Sequence, residues 1–184
     1  MIATEELKLN LGCRDRSIPG FLGVDIDSHP GVNYVTDIAD LSYFKDGSVA
    51  EIYCSHALEH FPHTKTVDVL KEWHRVLKPN GILYVAVPDF KRTVELYLKM
   101  VDEGLGVIDW MENYLWGDQE YATAYHYAGF DFWRLEKVLK SAGFSECSQV
   151  ENFPVGDEKD CSRNKSTLDG KSISLNVIAV KGDA

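Results

Sequence analysis

No apolar run in the 184 residues approaches the roughly 18–20 positions that a membrane-spanning helix needs. The opening residues Met1-Ile2-Ala3-Thr4-Glu5-Glu6 are acidic where a secretory leader is basic and then apolar, so neither membrane insertion nor export is expected. Cationic charge is scarce as well. With 19 Lys and Arg against 29 Asp and Glu, the formal net charge is −10, which leaves little to neutralise phosphates, and nucleic acid is not expected as a partner. Cysteine pairs are missing: Cys13, Cys54, Cys147 and Cys161 form no C-x-x-C motif. Neither a zinc framework nor a disulfide scaffold is therefore expected, and reduced thiols in a cytoplasmic compartment are the simplest reading. Cys13 and Cys54 border strand-like runs, where a small soft side chain packs well. There is no internal repeat and no low-complexity tract.

The chain does have enough apolar content for one core, at 45% hydrophobic against 26% charged residues, and its length fits a single domain over 1–184. Strand-like runs at 7–11, 21–26, 32–35, 50–54, 82–87, 146–152 and 172–180 are interleaved with helical patterns. Residues 64–78 carry Val67, Leu70, Trp73, His74 and Leu77 at helical spacing ahead of Pro79-Asn80-Gly81. A second helix over 132–142 is stopped by Gly143. This alternation predicts an α/β fold with a mainly parallel sheet, right-handed crossovers, and a ligand site outside the carboxyl ends of the strands. Two stretches depart from it. Residues 91–127 read as a helical insertion rich in aromatics, Tyr97, Trp110, Tyr121 and Tyr127 among them, and residues 154–171 as an exposed, hairpin-like polar loop.

The densest local signal is Leu9-Asn10-Leu11-Gly12-Cys13-Arg14, followed thirteen residues after Gly12 by Asp25 in Gly23-Val24-Asp25-Ile26-Asp27. A glycine at a strand end lets a ligand approach the backbone, and an acid at the end of the next strand receives ribose hydroxyls, so the pair points to an adenosine-containing cofactor. A dinucleotide is disfavoured, because a G-x-G-x-x-G loop would need glycines where Arg14 and Ser17 stand. S-adenosylmethionine carries no phosphate and asks less of the loop.

The run Tyr53-Cys54-Ser55-His56-Ala57-Leu58-Glu59-His60-Phe61, then Glu72-Trp73-His74-Arg75-Val76-Leu77-Lys78-Pro79-Asn80-Gly81 and Val87-Pro88-Asp89, resembles the class I S-adenosylmethionine-dependent methyltransferases. The likeness is to the subgroup with an E-H pair after strand four and an R-V-L-K-P-x-G helix end. It spans about 7–90 and resumes at 130–144. The resemblance implies a Rossmann-like, seven-stranded, mostly parallel sheet with an antiparallel last strand, helices on both faces and the insertion after strand five. It also implies S-adenosylmethionine as cofactor. Gly12 then falls on the glycine of the cofactor loop, Asp25 on the ribose acid, and Asp37 on the acid that reads the adenine amino group, with Ile38 beside the ring. Ser55 and His56 fall where the family lines the methionine end. Two departures stand out: the first loop is Gly12-Cys13-Arg14 rather than G-x-G, and the first crossover, containing Pro19, is too short for a full helix. Arg14 either fills part of the pocket or pairs with the cofactor carboxylate.

Methyl transfer from an activated sulfonium needs positioning, water exclusion and, for a protonated nucleophile, a base. His56 and His126 are the candidates for that base, each with a plainer alternative as pocket wall or packing residue. Glu59-His60 reads as a structural pair that caps a helix or holds loop backbone. His29, His63 and His74 are assigned no chemistry, and no metal is expected. The expected acceptor is a small molecule or sugar-like metabolite. The insertion then serves as cap and partial substrate wall, or as a homodimer interface. The alternative is a cofactor-binding protein without catalysis, acting as a sensor or partner subunit.

Overall fold

The computed structural model describes residues 6–105, 109–156, 160–166 and 169–183. Seven strands form one sheet: β1 (Lys8–Leu11), β2 (Leu22–Asp25), β3 (Val32–Val35), β4 (Val49–Ser55), β5 (Leu77–Pro88), β6 (Phe144–Val150) and β7 (Ser174–Lys181). Their order is β3-β2-β1-β4-β5-β7-β6, with β7 antiparallel to both β5 and β6 and the other pairs parallel. Each of the seven runs expected as a strand forms one. The largest difference is at β5, which begins at Leu77 rather than 82. Val49 pairs with Leu77 and Glu51 with Ile82, so Lys78-Pro79-Asn80-Gly81 bulges out of the ladder, with Asn80 at a φ of 60°.

Helices α1 (Thr66–Val76) and α4 (Phe132–Ala142) pack against each other on one face. The inner side of α1 is Val69, Leu70, Trp73 and Val76, one helical stripe, and the Trp73 indole N–H donates to the Ile38 carbonyl at 2.8 Å. Losing so large a buried side chain costs about 3–5 kcal/mol in typical cores. Asp131 caps α4 by accepting from the Arg134 N–H at 2.8 Å, and Gly143 ends it in the left-handed region, where a Cβ would press on the His74 ring.

Alternation along β4 and β5 sends Ile52, Cys54, Leu83, Val85 and Val87 to this helical side and Tyr53, Tyr84 and Ala86 to the other. The apolar cluster of that other face is closed by Ile18, Phe21, Phe153 and Val155 from connecting segments, with the 3-10 turn Cys161–Arg163 against β5 and β7. The links from β1 to β2 and from β2 to β3 are too short for a strand-sized helix and its two turns.

The insertion contributes α2 (Phe90–Asp102) and α3 (Asp109–Trp116), then an irregular return to α4. Residues 106–108 and the side chain of Trp110 lie outside the described residues, as do 157–159 and 167–168 of the loop before β7. That loop is not uniformly exposed, as the sequence suggests. Asp160, Ser162 and Ser166 are buried, whereas Lys165 and Asp169–Lys171 face solvent. Ser162 and Asn176 explain the inward turn: the Asn176 amide donates to the Ser162 carbonyl at 2.8 Å and ties the loop to β7.

Candidate active site

Strand order reverses between β1 and β4, and a crevice opens there beyond the carboxyl ends of the strands. It holds a cavity of about 770 Å³, within the usual range for small-molecule sites. Gly12, Arg14, Asp25, Asp37, Ile38, Ser55, His56 and His126 all line it.

At one end the first loop leaves β1 with Gly12 at a φ of 66°, its N–H bonded to the Val24 carbonyl at 2.9 Å. A Cβ there would come 2.6 Å from that of Ala57, so only glycine lets the β1 and β4 loops meet. Arg14 also has a positive φ, 46°. Its N–H donates to Asp25 Oδ2 at 2.7 Å, while Asp25 Oδ1 accepts from the Asp27 N–H at 3.1 Å. The Arg14 guanidinium rests over the ring of Tyr121, 5.8 Å from the centroid, so this side chain bridges to the insertion. Asp37 is exposed and closes a turn by accepting from the Ala39 N–H at 2.8 Å; Ile38 beside it is buried. A glycine gap, two carboxylates at successive strand ends and an apolar side chain between them are a donor set that fits an adenosine.

Ser55, at the end of β4, donates to Asp160 Oδ1 at 2.9 Å. Burial works to raise the Asp160 carboxyl, but hydrogen bonds from Tyr53, Ser162 and Ser55 outweigh it and hold the group below the usual carboxylate range. Asp160 is thus a buried anion on the cavity wall, and no local pattern announces it because it lies in a polar loop distant from β4 in the chain.

The other end is built from histidines around Glu59, in the 3-10 turn Leu58–His60. The Glu59 carboxylate is wholly buried. His56 Nδ1 lies 3.3 Å from Glu59 Oε1 and His126 Nε2 lies 4.0 Å from it; the rings of His60 and His126 meet edge to face at 4.8 Å. Burial pushes Glu59 toward protonation, but the surrounding His56, His60 and His126 rings, when they carry charge, pull it below the ordinary range. Burial lowers His126, with Glu59 opposing. The main chain does carry part of the structural role expected of Glu59-His60, since the Glu59 carbonyl accepts from the N–H groups of Tyr127 and Ala128 at 2.8 and 3.2 Å. The carboxylate and the His60 ring also belong to the histidine cluster, near the carboxyl edge of the sheet where the sequence places these titratable groups. His29 lines the cavity too, whereas His63 is exposed and His74 packs on Phe144.

His126 reaches the cavity because the insertion folds back after α3. Gly117, at a φ of 77°, allows this: a Cβ there would fall 1.8 Å from the Ala124 carbonyl oxygen. The His126 N–H then bonds to the Trp116 carbonyl at 3.0 Å.

A family model described as a methyltransferase domain matches residues 22–85. No curated protein matches the chain. Among solved structures, a SAM-dependent methyltransferase from Methanosarcina mazei is 19% identical over 98% of this chain and 95% of its own, with a TM-score of 0.61. The 1,6-didemethyltoxoflavin-N1-methyltransferase of Burkholderia thailandensis, solved with 1,6-didemethyltoxoflavin and S-adenosylhomocysteine, is 13% identical over 96% of this chain and 71% of its own, TM-score 0.60. A structure of the Haloferax volcanii Trm112 methyltransferase activator in complex contains a chain 14% identical over all of this one and 85% of its own, TM-score 0.58. The shared sheet order and the antiparallel β7 are what these likenesses rest on.

Proposed function

We propose that the chain is a class I S-adenosylmethionine-dependent methyltransferase, a reading that the methyltransferase-domain match over residues 22–85 and the fold support, and that it methylates a small-molecule or sugar-like acceptor in the cytoplasm. The observation that carries the reading is that one cavity has nucleoside-type residues at one end and a histidine cluster at the other. The cofactor supplies an activated methyl group; the chain's residues bind, orient and exclude water.

Gly12 gives the cofactor access to the backbone, Asp25 takes the ribose hydroxyls, and Asp37 with Ile38 takes the adenine. Ser55 and Asp160 hold the amino-acid end, where the buried carboxylate of Asp160 suits an ammonium. The Arg14 guanidinium, seated on Tyr121, suits the carboxylate of the same end. His56 and His126 stand at the acceptor end, and the proton released by the acceptor nucleophile leaves through this histidine group. The net charge of −10 disfavours a polyanionic acceptor, and four free cysteines suit a reducing compartment.

The insertion serves as partial wall, through Tyr121 and His126, and as the interface of a homodimer. Val94, Leu98, Val101 and Leu105 form an exposed apolar stripe along and just beyond α2. Antiparallel pairing of that stripe with a second copy sets Lys91 of one chain near Asp102 and Glu103 of the other, which argues for self-association.

The test is incubation with methyl-labelled S-adenosylmethionine and a panel of hydroxyl, amine and carboxyl metabolites. A labelled acceptor product is expected. Tight cofactor binding with no transfer across the panel would return the protein to the non-catalytic alternative.

A further inference from the structure

We propose that Glu59, His60 and His126 bind one divalent cation of the zinc type at the acceptor end of the cavity. What the cation does for an acceptor rests on the reading above, but the site itself rests on side-chain geometry. It departs from the sequence, which shows no metal-ligand spacing.

The hydrogen bonds of the cluster decide where its lone pairs point. His60 Nδ1 lies 3.0 Å from the Tyr125 carbonyl and His126 Nδ1 lies 3.0 Å from the Tyr114 carbonyl. A carbonyl oxygen only accepts, so in its neutral form each ring carries its proton on Nδ1 and leaves Nε2 as a bare acceptor. A ring N–H donated to a backbone carbonyl is the support that metal-ligating histidines usually have. His56 is constrained in a complementary way. The Ser174 hydroxyl spends its proton on the Cys161 carbonyl at 2.7 Å, so His56 Nε2, at 2.9 Å, must donate to Ser174 Oγ. The Nδ1 of a neutral His56 therefore also turns a lone pair toward Glu59 Oε1.

Glu59 completes the case. Its side chain is 0% exposed, and neither carboxylate oxygen makes a hydrogen bond of acceptable geometry. A buried anion facing imidazole lone pairs is repulsive until a positive charge enters. A single proton bridges one pair of these atoms; a metal ion serves the whole cluster. Ligand atoms of Glu59, His60 and His126 lie within 4.8 Å of one another, with Glu59 Oε1 4.0 Å from His126 Nε2. Tetrahedral zinc with bonds of about 2.0–2.2 Å holds its ligands about 3.3–3.6 Å apart, so small side-chain rotations close the site. Two imidazoles and one carboxylate suit zinc and its neighbours better than magnesium or calcium, which take oxygen ligands. Three protein ligands leave a position open, and since His60 and His126 line the cavity, that position faces the acceptor space. An acceptor oxygen or nitrogen bound there would ionise more easily.

The test uses the full chain, stripped with chelator and titrated with Co²⁺ alone, followed by absorption spectroscopy and calorimetry. One Co²⁺ per chain is expected, with the visible bands of a low-coordinate ion, displaced by Zn²⁺ and weakened tenfold or more in His60→Ala and in His126→Ala. His60 sits at the surface of the cluster, so its variant tests the idea even where Glu59→Gln fails to fold. Absence of saturable Co²⁺ binding, or equal binding by the wild type and both variants, overturns the proposal. S-adenosylhomocysteine binding by the same wild-type and His60→Ala samples is measured separately, so failure of the cation site and failure of the methyltransferase reading are told apart.

Discussion

Replacing Asp25 with Asn separates a cofactor role from a scaffolding one. The Asp25 carboxylate accepts from the N–H groups of Arg14 and Asp27 at 2.7 and 3.1 Å while lining the cavity. An amide of the same shape keeps one acceptor and turns an NH₂ toward the other main-chain donor. One backbone N–H then loses its partner, which costs about 1–3 kcal/mol; at roughly 2–4 °C per kcal/mol for a chain of this size, the melting temperature falls by about 2–12 °C. The cofactor loses more. A hydrogen bond from a ribose hydroxyl to a charged acceptor contributes about 1.5–3 kcal/mol, so the loss of one corresponds to roughly a tenfold to hundredfold weaker affinity. Titration calorimetry with S-adenosylhomocysteine below the lowered melting temperature reads this directly, with thermal melts on the same samples. A variant that melts lower yet binds within twofold of the wild type would refute the ribose role and leave Asp25 as a clamp on two loops.

Gly117→Ala is expected to displace the returning segment of the insertion, at a cost of about 1–3 kcal/mol, and to accelerate tryptic cleavage of the insertion measured on gels. Arg75→Met removes the paired bonds to Glu72 at 2.8 and 2.7 Å and those to the Leu41 and Phe44 carbonyls at 3.1 Å, and should cost about 1–2 kcal/mol in urea melts at pH 7, allowing for the partial exposure of the pair. Its hydrogen bonds to Arg75, opposed by burial and aided by the Leu41 N–H, hold the Glu72 carboxyl below the ordinary range. That stability is complete above the unfolded value near ~4.3 and is lost as pH falls through the folded one, so melts repeated at pH 3 should show a smaller gap between wild type and variant. Leu98→Glu on the exposed stripe of α2 should convert a dimer to a monomer in sedimentation velocity; a wild type that is monomeric at all concentrations removes that interface.

The sheet was legible because strand signals are local: apolar runs, a glycine at the end of β1, acids after β2 and β3. Adjacent strands of a parallel sheet put such residues at one edge, so Gly12 and Asp25 could be placed together from order, and the resemblance added Asp37 and Ser55; all four line one cavity. The start of β5 was less legible, since Pro79-Asn80-Gly81 reads as a helix stop whether the following residues turn freely or bulge from a ladder. The short first crossover was legible from Pro19, whereas the segments that close the second face, Phe153 and Val155 among them, come from a loop remote in the chain.

Amino-acid order by itself determined the sheet and its crevice, because those depend on short-range periodicity and on residues beside strand ends. The tertiary structure alone decided the rest. Asp160 meets Ser55 across 105 positions of chain, and His126 meets Glu59 only because Gly117 lets the insertion fold back. Burial, tautomer and charge in that cluster are properties of the packed neighbourhood, set by which carbonyls and carboxylates surround each ring, and no local pattern encodes them.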